Sequence, residues 1–168
     1  MALDKLPNKT YPALGLSLLD RSIKEYYSNR CSKDELQEIR EYFLQNGGLS
    51  CIYCGSHDAT RWDHLTPVSQ GGDTVKGNLV PACSSCDDSK QDRSVEEWLD
   101  SGSKKAPGDV FRDKIIQKVS RYRSQFSYEP PVSFVSKLAA EELVIYRRFQ
   151  TRINELRASL IADGIISK

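Results

Sequence analysis

Four cysteines stand in two pairs, Cys51-Ile52-Tyr53-Cys54 and Cys83-Ser84-Ser85-Cys86, separated by 28 residues. Thiolates are soft ligands, and two C-x-x-C knuckles at this spacing suit a closed tetrahedral zinc site. With all four positions filled by sulfur, such a zinc is structural. Between the pairs lie Asp63-His64, Pro67, Gly71-Gly72 and Asn78, and Asp87 follows the last cysteine directly. A neutral imidazole can take a proton near neutral pH, and a carboxylate is a hard ligand suited to Mg²⁺ or Mn²⁺. Neighbours on a strand point to opposite faces, so Asp63 could grip a metal while His64 addresses a water. A zinc knot would bring Asp87 toward Asp63, letting the two carboxylates share one ion. Cys31 is left over and reads as incidental.

The elements that must position these residues are mostly helical. Residues 1–13, with Pro7 and Pro12, read as an irregular arm. Leu16, Leu19, Ile23, Tyr26 and Tyr27 recur at helical spacing and predict a helix over Leu14–Tyr27. Ser32-Lys33-Asp34-Glu35 is a capping box, opening a helix with Leu36, Ile39 and Phe43 on its apolar face and Gly47-Gly48 at its end. Thr60-Arg61-Trp62 has strand propensity, and Leu79-Val80-Pro81 leads into the second knuckle. Asp87 to Gln91 reads as the start of a helix. Ser94 opens a further short helix with a second capping box. Phe111, Ile115, Val119, Tyr122 and Phe126 predict a helix over Asp109–Phe126 with those five side chains turned inward. After the break at Pro130-Pro131, a last helix is expected over Val135–Ala162, its stripe formed by Leu138, Leu143, Ile145, Phe149, Ile153, Leu156 and Leu160.

The run from Asp63-His64-Leu65-Thr66-Pro67 through Gly71-Gly72 and Asn78-Leu79-Val80-Pro81 to Cys86-Asp87-Asp88-Ser89-Lys90 resembles the motif of HNH nucleases, the ββα-metal fold, in its zinc-knuckle variant. The resemblance covers about 40 residues. It implies a β-hairpin and a helix gripping one divalent metal, with His64 as general base, Asp63 as metal ligand and Asn78 bracing the loop that carries the base. The third motif position falls on Asp87, where the family usually has His or Asn. A second carboxylate there favours a hard cation and puts the metal preference, more than activity, in question.

The fold class that follows is α+β and mostly helical: a small ββα-metal core with a four-cysteine zinc site, flanked by helices. The expected divisions are 1–48, a helical lead-in; 49–102, the core; and 103–168, a basic helical region. Residues 1–100 carry 11 basic and 16 acidic side chains, whereas 101–168 carry 13 and 7, an asymmetry that suits a polyanion surface on the carboxy-terminal helices. Lys104, Lys105, Arg112, Lys114, Lys118, Arg121 and Arg123 form one basic cluster, and Arg147, Arg148, Arg152 and Arg157 another. Lys90, Arg61 and Arg93 are further candidates for phosphate contacts.

No apolar run approaches the ~20 residues that cross a bilayer, and no secretory signal is visible, so a cytoplasmic protein is the expectation. The function expected from the resemblance is a DNA endonuclease, of restriction or phage-related type, acting on double-stranded DNA with Mg²⁺ or Mn²⁺. The alternatives are a nuclease subunit that needs a partner and an inactive zinc-knuckle DNA-binding or scaffold protein. One such site cuts one strand, so double-strand cutting would call for a homodimer.

Overall fold

The computed structural model describes residues 11–103 and 106–166. Its elements are α1 (Tyr11–Tyr26), α2 (Lys33–Gln45), β1 (Arg61–His64), β2 (Leu79–Ala82), α3 (Ser84–Lys90), α4 (Val95–Leu99), α5 (Asp109–Gln125) and α6 (Ala140–Ala162), with 3-10 turns at Val68–Gln70 and Phe134–Lys137. The chain forms two compact units, one of α1 with the segment from Leu138 onward and one of Tyr27–Lys137. Among the described residues, no helix is long and apolar enough to cross a membrane.

The larger unit is the α+β core. Strands β1 and β2 pair antiparallel in the register Arg61↔Ala82, Trp62↔Pro81, Asp63↔Val80 and His64↔Leu79. Pro81 lacks an amide hydrogen, yet its carbonyl is used: the Ile52 amide donates to it at 3.0 Å, tying the first knuckle to the hairpin. Helix α3 leaves β2 through Cys83, its N-cap, which completes the ββα order. The sequence pattern places this helix three residues late, because the second knuckle itself forms the first turn.

Both capping boxes form. Ser32 accepts from the Glu35 amide and Ser94 from the Glu97 amide, while each glutamate reaches back to its cap backbone. Helices α2 and α5 cover the hairpin. Ile39 and Phe43 from α2 and Ile115, Val119 and Tyr122 from α5 are all buried. The Tyr122 hydroxyl donates to the Leu79 carbonyl at 2.6 Å, so the aromatic payload is satisfied at its polar end. Tyr42, Phe43, Tyr122 and Phe126 pack with ring centroids 4.9–5.6 Å apart.

One member of the α5 stripe departs from expectation. Phe111 keeps 56% of its surface exposed, because it lies near the start of the helix, where the hairpin no longer covers it. In the smaller unit, α1 begins at Tyr11 and takes in Pro12, since proline is tolerated in a first turn. Most of the expected arm, residues 1–10, lies outside the described residues, as do Lys104 and Lys105. The last helix starts at Ala140 rather than Val135. Of its expected stripe, Ile153 is buried, but Ile145 and Leu156 face solvent.

Candidate active site and metal centre

The four cysteine sulfurs lie within 4.8 Å of one another, drawn from the first knuckle and from the β2–α3 junction. Cys54 and Cys83 sulfurs are 3.7 Å apart. A tetrahedral site with metal–sulfur arms of about 2.3 Å needs edges of about 3.8 Å, so the donor set fits a thiophilic metal. Cys51, Cys83 and Cys86 are buried, and Cys54 is exposed at the rim. The Cys51 thiol is drawn down to about 4, first by the hydrogen bond from Cys86 and then by backbone amides around it. Its partner Cys86 is pushed up by the same hydrogen bond. Four sulfurs this close share their protons unequally, and a cation bound among them would replace those protons.

Asp63 and His64 close β1 and diverge from it. Asp63 is buried: its Oδ2 accepts from the Tyr53 hydroxyl at 2.5 Å and its Oδ1 from Lys90 Nζ at 3.2 Å. Burial pushes the Asp63 carboxyl up, opposed by the Lys90 charge. Burial likewise pushes the Lys90 ammonium down, opposed by Asp63. His64 is half-buried, with Nε2 2.9 Å from Thr74 Oγ1. Thr74 is itself fixed: its amide donates to the Asn29 carbonyl at 2.8 Å, and its carbonyl accepts from the Cys31 amide at 2.7 Å. The segment before α2 is therefore a strap that holds the contact to His64.

Asn78 is fully buried. Its Oδ1 accepts from the Thr66 amide at 2.8 Å, and its Nδ2 donates to the Thr66 and Asp73 carbonyls at 2.9 and 2.7 Å. The two bonds to Thr66 clamp the ends of the loop between β1 and β2, and the third ties in Asp73 from its middle. Gly72 lies against that clamp; a Cβ built there would sit 1.8 Å from the Thr66 oxygen.

Asp87 turns toward β1 from α3 and accepts from Arg61 at 2.9 Å, an arginine that also holds Asp88. Among the described residues, the four cysteines are the group of three or more ligand side chains that comes together; Asp63, His64 and Asp87 form no such cluster. Two carboxylates nevertheless suit an ion bound jointly with a phosphate and water, as Mg²⁺ usually is. Each Asp63 oxygen uses one lone pair on its present donor and retains another.

Three expected phosphate contacts are placed elsewhere. Lys90 is 0% exposed, so it cannot meet a phosphate; its stem fills the space between α3 and β1 and its charge is spent on Asp63 and the His64 carbonyl. Arg93 donates to the Lys90 and Ser89 carbonyls at the end of α3. Arg61 is shared between Asp87 and Asp88. Lys114, Lys118 and Arg121 are exposed on α5. The sequence reading missed Tyr53 and Thr74, the partners of Asp63 and His64. Tyr53 had one signal, its place inside a knuckle; Thr74 had none.

The fold and the site thus define a small α+β domain, a hairpin and a helix drawn together by four cysteines. Residues 51–93 match the family model described as HNH endonuclease. A relative from Bacillus subtilis (strain 168), named "SPbeta prophage-derived putative HNH endonuclease YoqL", is 27% identical over 106 residues. The alignment covers 63% of this chain and spans only 40% of the relative's length. No solved structure matches the chain significantly.

Proposed function

We propose that this chain is a metal-dependent DNA endonuclease in which His64 is the general base, Asp63 and Asp87 hold a divalent ion, and Asn78 fixes the loop behind the base. The observation that carries the reading is the divergence of Asp63 and His64 at the end of β1, each held by its own buried or half-buried partner. That divergence separates the metal-holding and proton-accepting roles within two adjacent residues.

In this reading His64 accepts the proton of the water that attacks phosphorus, while Thr74 holds the ring in place. The Tyr53 and Lys90 bonds fix the direction of the Asp63 carboxylate. Mg²⁺ or Mn²⁺, when bound, supplies charge stabilisation at the scissile phosphate and its leaving oxygen. The four cysteines hold a structural Zn²⁺, favoured by an all-sulfur tetrahedral donor set. The similarity to a prophage-derived relative supports a phage-related origin.

The test is a supercoiled plasmid incubated with purified protein, with and without Mg²⁺ or Mn²⁺. Metal-dependent nicking that His64→Ala abolishes, at unchanged zinc content and fold, is the expected result. Binding without cleavage under all metal conditions would favour the inactive scaffold instead, and cleavage that appears only with an added protein would favour a partner-dependent subunit.

A further inference from the structure

A cavity of about 470 Å³ lies between the first cysteine knuckle and the start of α5. Its walls include Tyr53, Cys54, Pro107, Phe111, Lys114 and Lys118. Phe111 is more than half exposed, although its helical register belongs to the core-facing stripe, and Ile115 one turn on is buried. Positions 111, 114 and 118 share one face of the helix, so the ring and the two ammonium groups border the same opening.

Much of the nearby basic charge is neutralised, but not on this face. Arg112 is paired with Asp100, and Arg123 with Glu96. Around the hairpin, Arg61, Lys76 and Lys137 are paired as well. Lys114, Lys118 and Arg121 are exposed, and none of the ion pairs among the described residues includes them. Like charges three and four residues apart on a helix repel, and an anion lying along them relieves that repulsion. A smaller cavity of about 150 Å³, lined in part by Arg121, shares Ile52 and Lys118 with the first.

An aromatic ring on an apolar floor, bordered by a row of cations, is the combination that holds an unpaired base together with its flanking phosphates. We propose that this cavity binds a nucleobase of a DNA strand, stacked on Phe111, with the adjoining phosphates on Lys114 and Lys118. The proposal rests on the nuclease reading and adds to it an anchoring point for the substrate. Tyr53 links the two sites: it lines the cavity and donates its hydroxyl to Asp63.

The experiment measures binding of a fluorescein-labelled single-stranded oligonucleotide by anisotropy, without added Mg²⁺ or Mn²⁺, over a range of salt concentrations. Phe111→Ala should weaken binding about tenfold with the salt slope unchanged, and Phe111→Trp should retain it. Lys114→Ala and Lys118→Ala should each lower the slope of log affinity against log salt by about 0.7. Equal zinc content and circular dichroism across the variants exclude misfolding. Wild-type affinity in Phe111→Ala, or unchanged slopes in both lysine variants, would overturn the proposal. Cleavage does not enter this readout. A wild-type protein that binds as described but never nicks plasmid would sink the nuclease reading and leave the base site standing; a protein that nicks plasmid but binds identically without Phe111 would do the reverse.

Discussion

Lys90 is sealed inside the protein with its Nζ 3.2 Å from Asp63 Oδ1 and 2.6 Å from the His64 carbonyl oxygen. One side chain from α3 thereby holds both consecutive residues at the end of β1. Such a pair does not gain much over a well-packed apolar pair, but breaking it leaves a charge in the interior. Lys90→Met should cost about 3–5 kcal/mol in denaturant unfolding of the zinc-loaded protein. The double variant Asp63→Asn/Lys90→Met should recover most of that loss. A single variant as stable as the wild type would contradict the buried pairing.

The Thr74 hydroxyl touches His64 through a residue whose backbone is tied to Asn29 and Cys31. Thr74→Val keeps the shape and both backbone bonds and removes one hydrogen bond, worth about 1 kcal/mol. The expected result is a kcat for nicking lowered roughly five- to tenfold, KM unchanged, and activity restored by Thr74→Ser. A KM effect with unaltered kcat would place Thr74 in substrate binding instead.

Gly72 tolerates no Cβ, since one would enter the Thr66 carbonyl and press on Asn78 Nδ2 at 3.0 Å. Gly72→Ala should therefore destabilise by about 3 kcal/mol, the upper end of ordinary overpacking, and depress nicking through the loop. Gly15 provides the contrast: it is exposed within α1 and has nothing within 4 Å of a built Cβ. Gly15→Ala should stabilise by about 1 kcal/mol through helix propensity alone. Thermal melts of the two variants should move in opposite directions.

Cys86 belongs to the four-sulfur cluster and Cys31 does not. Cys86→Ser should abolish stoichiometric zinc by metal analysis and unfold the core, because a metal site assembled from remote segments stabilises the fold that brings them together. Cys31→Ser should bind zinc and melt as the wild type does. A chelator that removes zinc without changing the melt would refute the structural role.

In the smaller unit, Asp20 of α1 accepts from Lys24, Tyr146 and Gln150. Burial works to raise the Asp20 carboxyl, but these bonds together hold it below its usual value. Tyr146 is pushed up to about 12, first by burial and then by the Asp20 charge. A lowered carboxyl contributes stability above its ordinary value near ~3.9, lost as pH falls through the depressed value. A raised phenol contributes stability below its ordinary value near ~10, lost as pH rises toward the raised one. The α1–α6 pairing should therefore be firmest between about pH 4 and 10, weakening at both ends. Melts from about pH 4 to 12 should show an alkaline loss that is smaller in Tyr146→Phe than in the wild type.

The sequence by itself determined whatever rests on short spacing and local chemistry. Two C-x-x-C knuckles announce a four-sulfur site, the capping boxes at Ser32 and Ser94 mark two helix starts, and the α5 period places Ile115, Val119 and Tyr122 inside. Asp63-His64 was legible as a pair because strand geometry alone separates their side chains. Only the tertiary structure decided what each side chain meets. Lys90 looks like a surface lysine one turn past Asp87, yet the packing of α3 on β1 swallows it. Phe111 fits the apolar period, yet the hairpin ends before it. Thr74 becomes the partner of His64 through a strap that starts at Asn29. The physical reason is one of range: caps and periodicities act within a turn or two of helix, whereas burial and pairing depend on which distant segments arrive at the same place.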